Sequence, residues 1–70
     1  MAGKSVRLLT VFDQLTQGKV VFKKEIARQF QVNEKTIQRD LDDIRAYLSE
    51  VHEHNRELVY DRRVRGYKMR

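Results

Sequence analysis

The sequence contains no cysteine and no proline, and only three of its 70 residues are glycine. The lack of cysteine excludes a disulfide framework, a thiolate metal site and a cysteine nucleophile. The scarcity of proline and glycine indicates regular structure joined by short turns. No apolar run approaches the roughly 20 residues of a membrane span, and the N-terminus lacks the apolar stretch of a signal peptide. We therefore expect a cytoplasmic protein without a membrane partner.

The length of the chain limits both fold and chemistry. Seventy residues suffice for one small domain over residues 1–70, with one modest core and no deep active site. No Ser/His/Asp arrangement, phosphate-binding glycine loop or carboxylate cluster can be identified. His52 and His54 flank Glu53, but these residues lie in a polar connector without a third ligand, so we expect no metal site. We expect neither enzymatic activity nor a cofactor.

The charge is basic and unevenly distributed. The net charge of +5 and the pI near 9.9 favour an anionic partner. Residues 40–53 contain five acids and one base, whereas residues 56–70 contain six bases and two acids. Ribosomal and membrane-surface proteins are basic too, so the charge alone does not identify the partner.

Apolar periodicity predicts a first helix over residues 5–17, which Gly18 ends. Residues 20–22 are β-branched or aromatic and predict a short strand or an extended connector. The apolar residues of helix 1 are Leu8, Leu9, Val11, Phe12 and Leu15.

Two further helices are predicted over residues 23–30 and about 34–51, with Asn33 as the N-cap of helix 3. Gln31 stands in the connection where such helix pairs often have glycine, at a cost on the order of 1 kcal/mol if φ is positive there. Helix 3 has an apolar stripe that we expect to lie in the core: Ile37, Leu41, Ile44 and Leu48.

The outward face of helix 3 carries its charges in order, with Lys35 and Arg39 before Asp42 and Asp43. We expect the two acids to pair with Arg39 at i,i+3 and i,i+4 spacing. Asp40 falls near the edge of the core, so we expect it to pair with a basic side chain of helix 1 or helix 2.

The C-terminal residues predict a β-hairpin over about 57–70, because ELVY and YKMR alternate in polarity on either side of the arginine-rich turn DRRVRG. Gly66 is expected to supply backbone freedom where the chain returns. One face of the hairpin is predicted to carry Leu58, Tyr60, Tyr67 and Met69. We expect the three tyrosines of the chain, Tyr47 included, to serve packing.

Helix 2, its three-residue connection and helix 3 match a helix-turn-helix over about residues 23–50. A helix-turn-helix followed at once by a basic hairpin predicts an α+β winged helix, with the hairpin as its wing. In such a domain the first turns of the second helix enter the major groove. The order of charges on helix 3 fits this geometry. The alternative is an ordinary helical hairpin whose charges form solvated ion pairs.

The segments KKEIARQFQVNEKTIQRDLDDIRAYL and YDRRVRGYKMR resemble the N-terminal winged-helix domain of bacterial WYL-domain and DeoR-type transcription regulators. The similarity spans roughly residues 5–70, and TIQRDL together with GYKM carries it. It implies a cytoplasmic, nucleoid-associated DNA-binding domain. Such regulators normally carry a C-terminal effector-sensing domain, so we expect that this chain either belongs to a longer protein or acts alone.

The expected partner is double-stranded DNA. Arg39 and Gln38 are candidates for base contacts, because Arg suits guanine and Gln suits adenine. The candidate DNA-binding residues are Lys23, Lys24, Lys35, Thr36, Gln38, Arg39, Arg62, Arg63 and Arg65. The competing functions are a winged helix used for protein–protein contact and binding to structured RNA. A homodimer on a repeated site is expected to bind more tightly than one domain.

Overall fold

The computed structural model describes residues 3–51 and 56–70. Its elements are α1 (Lys4–Thr16), α2 (Lys23–Phe30), α3 (Glu34–Glu50), β1 (Leu58–Asp61) and β2 (Gly66–Met69). The domain is α+β, and every predicted helix and hairpin strand is present within one residue of its expected bounds. The predicted connector with His52, Glu53 and His54 lies outside the described residues. Within them, no helix is both long and apolar enough to cross a membrane.

Helix α1 ends at a glycine, as predicted. Gly18 has a φ of 82°, a left-handed conformation that costs glycine little. This conformation lets the Lys19 amide donate to the Gln14 carbonyl at 3.0 Å and the Gly18 amide donate to Leu15 at 3.1 Å. The last carbonyls of the helix are thereby satisfied in a Schellman motif.

The connection between α2 and α3 reverses the chain within three residues. Gln31 has a φ of 56°, the conformation for which glycine is often found at this place in such connections. The Val32 amide donates to the Ala27 carbonyl at 2.9 Å, which closes the end of α2. Asn33 caps α3, because its Oδ1 accepts from the Thr36 amide at 2.9 Å.

The core is built around the inner face of α3, whose predicted apolar stripe is buried throughout. Val11 and Leu15 of α1 are buried with it, whereas Leu9, another apolar residue of the same helix, is 63% exposed. The helical period explains the difference: Leu9 lies about 200° around the helix axis from Val11. The other buried residues of the core are Val21, Ile26, Ala27, Leu58 and Tyr67.

The hairpin is joined to the segment between α1 and α2 by one backbone bridge. The Val21 amide donates to the Tyr67 carbonyl at 2.7 Å, and the Tyr67 amide donates to the Val21 carbonyl at 2.8 Å. This bridge confirms the extended conformation predicted for residues 20–22. Within the hairpin, Tyr60 pairs with Tyr67 and Leu58 pairs with Met69, so these four residues share one face, as predicted. The hairpin is therefore held against the start of α2.

Gly66 does not have the conformational role that the sequence suggested. The positive φ of the turn, 58°, is at Arg65. Gly66 is buried instead, and a Cβ there would overlap Val20 Cγ1 and lie 2.9 Å from Phe22 Cε1. The residue is therefore glycine because the hairpin packs closely against residues 20–22, which a local pattern of turn residues does not show.

Arg7 and Asp40 form a buried ion pair between α1 and α3. The Arg7 Nη2 donates to Asp40 Oδ1 at 3.1 Å, and its Nε donates to Oδ2. The Asp40 side chain is 1% exposed and that of Arg7 is 11% exposed. The hydrogen bonds to the carboxylate raise the pKa of Arg7. The expected partner of Asp40 in helix 1 or helix 2 is thus found in helix 1.

Removal of Arg7 should destabilise the domain strongly. In Arg7→Met the buried carboxylate loses its partner, and such losses cost roughly 3–5 kcal/mol, a large part of a small domain's stability. Urea unfolding of the variant measures this change. Arg7→Met combined with Asp40→Leu should recover most of the loss, because no unpaired charge then remains in the core.

The matched control is Lys4→Met, which removes the exposed pair of Lys4 with Asp43 on the same two helices. We expect a change of no more than about 1 kcal/mol, as for other solvated pairs. An Arg7→Met variant as stable as Lys4→Met would contradict a structural role for the buried pair.

Candidate nucleic-acid interface

The first turns of α3 present two unpaired cations to solvent. Lys35 and Arg39 are four residues apart, on the side of α3 opposite its buried stripe, and both are exposed. Neither side chain makes an ion pair or hydrogen bond with any residue that the structure describes. Both are therefore available to an external partner.

The acids of α3 do not pair with Arg39, so that expectation was wrong. The Asp42 Oδ1 lies 3.7 Å from Arg45 Nη1, and Asp43 Oδ2 lies 3.8 Å from Lys4 Nζ. Side chains on a helix lean toward its N-terminus. Arg45 therefore leans back over Asp42, whereas Arg39 leans away from the acids that follow it.

Gln38 joins three elements through its side-chain amide. Its Oε1 accepts from Lys23 Nζ at 3.0 Å and from the Tyr67 hydroxyl at 3.2 Å. Its Nε2 donates to Asp42 Oδ1 at 3.1 Å. The Lys23 Nζ also lies 5.8 Å from the centroid of the Tyr67 ring. The start of α2, the start of α3 and strand β2 thus meet at one amide.

Thr36 forms hydrogen bonds within the protein. Its hydroxyl donates to Asn33 Oδ1 at 3.0 Å, the same oxygen that accepts from its backbone amide. The side chain is half-buried. Thr36 therefore closes the N-cap of α3, and its expected contact with DNA remains a prediction.

An open cleft of about 390 Å³ lies between the starts of α2 and α3 and the hairpin. Arg65 borders this cleft together with Lys23 and Lys24. Phe22, the N-cap residue of α2, provides no side-chain acceptor for the amides of the first turn. The positive end of the α2 dipole and the three cations therefore act on the same region. The remaining lining residues are Phe22, Glu34, Tyr60 and Tyr67.

Arg62 and Arg63 border a different depression, so the structure separates them from Arg65. This second cleft, of about 340 Å³, lies on the hairpin and includes Lys68 and Arg70. Lys68 pairs with Asp61 at 2.9 Å, and Arg70 pairs with Glu57 at the same distance. The two turn arginines form no such pair with any described residue.

Ion pairing divides the cations of the described residues into two groups. Five are paired with a carboxylate: Lys4, Arg7, Arg45, Lys68 and Arg70. All seven lysines and arginines predicted to contact DNA belong to the unpaired group. The other unpaired cations are Lys19, Arg28 and Arg56. The positive charges of the predicted interface are thus not neutralised by ion pairs. Five of the eight other cations are neutralised by a neighbouring carboxylate.

Sequence reasoning missed the structural part that two tyrosines take in this site. Tyr67 is 9% exposed, as expected of a packing residue, but its hydroxyl reaches Gln38, 29 residues away in sequence. Tyr60 is about half exposed and meets the Tyr67 ring edge-on at 5.0 Å. Tyr47, also expected to pack, is about half exposed and meets Phe12 edge-on. The available signal for the contact between Tyr60 and Tyr67 was their place on one face of the predicted hairpin.

No protein family, curated protein or solved structure matches this chain. Among the described residues, no group of three or more His, Asp or Glu side chains is arranged to hold a metal ion.

Asp61 organises the turn of the hairpin. Its Oδ1 accepts from the Arg63 amide at 2.8 Å, and its Oδ2 lies 2.9 Å from Lys68 Nζ. The hydrogen bond from Lys68 and that from the Arg63 amide lower the pKa of Asp61. Sequence reasoning missed this residue, although an Asp that begins a turn is a known signal for such a bond.

The lowered pKa predicts how the hairpin depends on pH. Because the folded pKa of Asp61 lies below its unfolded value, its stabilising contribution is complete above the unfolded pKa and is lost as the pH falls through the folded one. Lys68→Met should raise the pKa of Asp61 toward its ordinary value, as NMR titration of the carboxyl carbon would measure. Lys68→Arg keeps a cationic donor and serves as the control. An unchanged pKa in Lys68→Met would contradict the pairing.

Proposed function

We propose that this chain is a winged-helix domain that binds double-stranded DNA with sequence preference, as the DNA-binding part of a bacterial transcription regulator. The observation that carries the proposal is the set of unpaired cations at the starts of α2 and α3 and in the hairpin turn. The order of helices, connection and hairpin supports it. The resemblance of TIQRDL and GYKM to WYL-domain and DeoR-type regulators supports it as well.

In the proposed complex the first two turns of α3 enter the major groove. A groove about 12 Å wide and 8.5 Å deep admits a helix, and the turns that enter first reach the base edges. Arg39 then suits the O6 and N7 acceptors of guanine, and Lys35 suits a base edge or a phosphate. Asp42 and Asp43 lie one turn farther on, where their pairs with Arg45 and Lys4 offset repulsion from the backbone.

The cleft beside the start of α3 has a positive charge that suits the phosphates of the DNA backbone. Lys24 and Arg65 border it and make no ion pair with a described residue. The uncapped amides at the start of α2 favour an anion at the same place. We propose that these groups hold a phosphate and that Arg62 and Arg63 contact a second stretch of backbone or the adjacent minor groove.

A second candidate function is protein–protein contact through the face that α1 shares with the later turns of α3. An apolar cleft of about 310 Å³ lies there, lined mainly by Leu8, Leu9, Phe12, Ile44 and Tyr47. Exposed apolar surface of this kind marks interaction sites. Dimerisation of the domain on a repeated operator is compatible with such a contact.

Selection from random duplexes at a stated salt concentration tests the main proposal directly. We expect enrichment of a short motif, and competition by the enriched duplex but not by structured RNA of equal length. Enrichment of no motif would contradict sequence-preferring DNA binding, and equal competition by the RNA would favour the RNA function.

Arg39→Ala should abolish the preference for the base pair that this side chain contacts, a loss of about 1–3 kcal/mol in discrimination. The thermal midpoint should hardly change, because Arg39 is exposed and unpaired within the described residues. Binding to duplexes with each base substituted in turn provides the measurement.

Arg45→Ala is the matched control for Arg39→Ala, because it removes the same charge about 9 Å farther along the same helix. We expect it to keep the preference. If Arg39→Ala discriminates between duplexes as well as the control does, α3 does not read bases through this residue.

Arg62→Ala combined with Arg63→Ala should weaken binding to all duplexes alike. Removal of one or two phosphate contacts should flatten the plot of log K against log salt by about 1–2 units. Titrations over a range of salt concentrations measure the slope. Lys19→Ala combined with Arg28→Ala removes two unpaired cations outside the proposed contacts, and we expect it to change the slope less. An unchanged slope in the first variant would exclude the turn arginines from the interface.

A further inference from the structure

The orientation of the Gln38 amide follows from the chemistry of its neighbours. A lysine ammonium can only donate and a carboxylate can only accept. The oxygen of the amide must therefore face Lys23, and its nitrogen must face Asp42. Because this oxygen can only accept, the Tyr67 hydroxyl must be the donor in the third bond.

Three hydrogen bonds use nearly all the capacity of this side chain. An amide oxygen accepts two hydrogen bonds, and Lys23 and Tyr67 supply both. Of the two N–H donors, one is directed at Asp42, so a single N–H remains. Recognition of adenine by glutamine needs an acceptor for N6 and a donor for N7 at the same time. The amide does not meet this requirement while it is bound to its neighbours.

We propose that Gln38 is a positioning residue that fixes the hairpin and Lys23 to α3, and that it does not read a base. The proposal rests on the proposed function and revises the role that sequence reasoning gave to Gln38. Base reading from α3 then falls to Lys35 and Arg39, which are exposed and unpaired among the described residues.

Tyr67 connects the hairpin to α3 and to the segment just before α2. Its backbone exchanges two hydrogen bonds with Val21, just before α2, and its hydroxyl bonds the amide on α3. Arg65 lies two residues before Tyr67 and borders the cleft at the start of α2. The hydroxyl therefore helps to set where the cations of the turn stand relative to those of α3.

The free protein provides the first test. Tyr67→Phe removes one hydroxyl and keeps the ring, so the side-chain amide signals of Gln38 should shift in ¹H–¹⁵N spectra. Tyr60→Phe is the matched control, because the Tyr60 hydroxyl forms no hydrogen bond with a described residue. It should leave these signals in place. Signals that do not respond to Tyr67→Phe would overturn the positioning role, whether or not the domain binds DNA.

Binding of the enriched duplex provides the second test. Tyr67→Phe should weaken binding by about fivefold, the usual effect of one net hydrogen bond, and Gln38→Ala, which removes three hydrogen bonds, should weaken it at least as much. The effect of the double variant should be less than the product of the two. The order of preference among base-substituted duplexes should stay as in the wild type, since neither residue reads a base.

The opposite pattern would overturn the inference: Gln38→Ala loses discrimination at one A·T pair while Tyr67→Phe binds and discriminates as the wild type does. A wild-type domain that prefers no duplex would refute the proposed function instead. In that case the amide signals of the free protein still decide whether Tyr67 holds Gln38.

Discussion

The buried ion pair between Arg7 and Asp40 lies on the same inner side of α3 as the apolar stripe and, together with that stripe, keeps the opposite side of the helix outward. Arg39 and Asp40 are neighbours in sequence and lie about 100° apart around the helix axis. A rotation that brought Arg39 inward would carry Asp40 away from Arg7 and leave a buried guanidinium without its carboxylate. Breaking such a pair costs several kcal/mol. The orientation of α3 is thus set by the ion pair and the apolar stripe on its inner side, and the exposure of the cations follows from it.

In α3, the order of acids and bases along the helix axis decides which of them form ion pairs. Side chains lean toward the N-terminus, so an acid is approached by the base that follows it and not by the base that precedes it. Asp42 therefore pairs with Arg45 and leaves Arg39 without a partner among the described residues. Placing acids after cations keeps the cations of the first turns available to an external anion. The reverse order would have favoured pairs within the helix.

Local patterns predicted most of the fold because they report short-range physics. The helical period located the core stripe of α3, and the polar cap residue Asn33 located its start. Gln31 adopts the left-handed conformation that the sequence analysis had considered for this place in the connection. The pattern failed where the cause is a contact between distant segments: glycine is needed at position 66 because a Cβ there would overlap Val20 and Phe22, and no turn rule describes that contact.

The predicted site divides in the same way. Sequence reasoning located the exposed cations of the first turns of α3, because exposure follows from position on a helix, but it wrongly paired Arg39 with the acids that follow it. It placed the three turn arginines together, whereas the structure puts Arg65 beside the start of α2 and puts Arg62 and Arg63 at another cleft. Two of the three partners of Gln38, Lys23 and Tyr67, could not be predicted either, since they lie 15 and 29 residues away along the chain.

By itself the sequence determined the order of elements, the bounds of each helix to within one residue, and the sign and order of the charges on the outer face of α3. Periodicity, capping and turn chemistry act within a few residues, so these features can be derived from neighbours in the chain. Only the tertiary structure decided that Arg7 is the partner of Asp40 and that one amide joins two helices to the hairpin. Contacts of that kind depend on the packing of distant segments, which the local sequence does not encode.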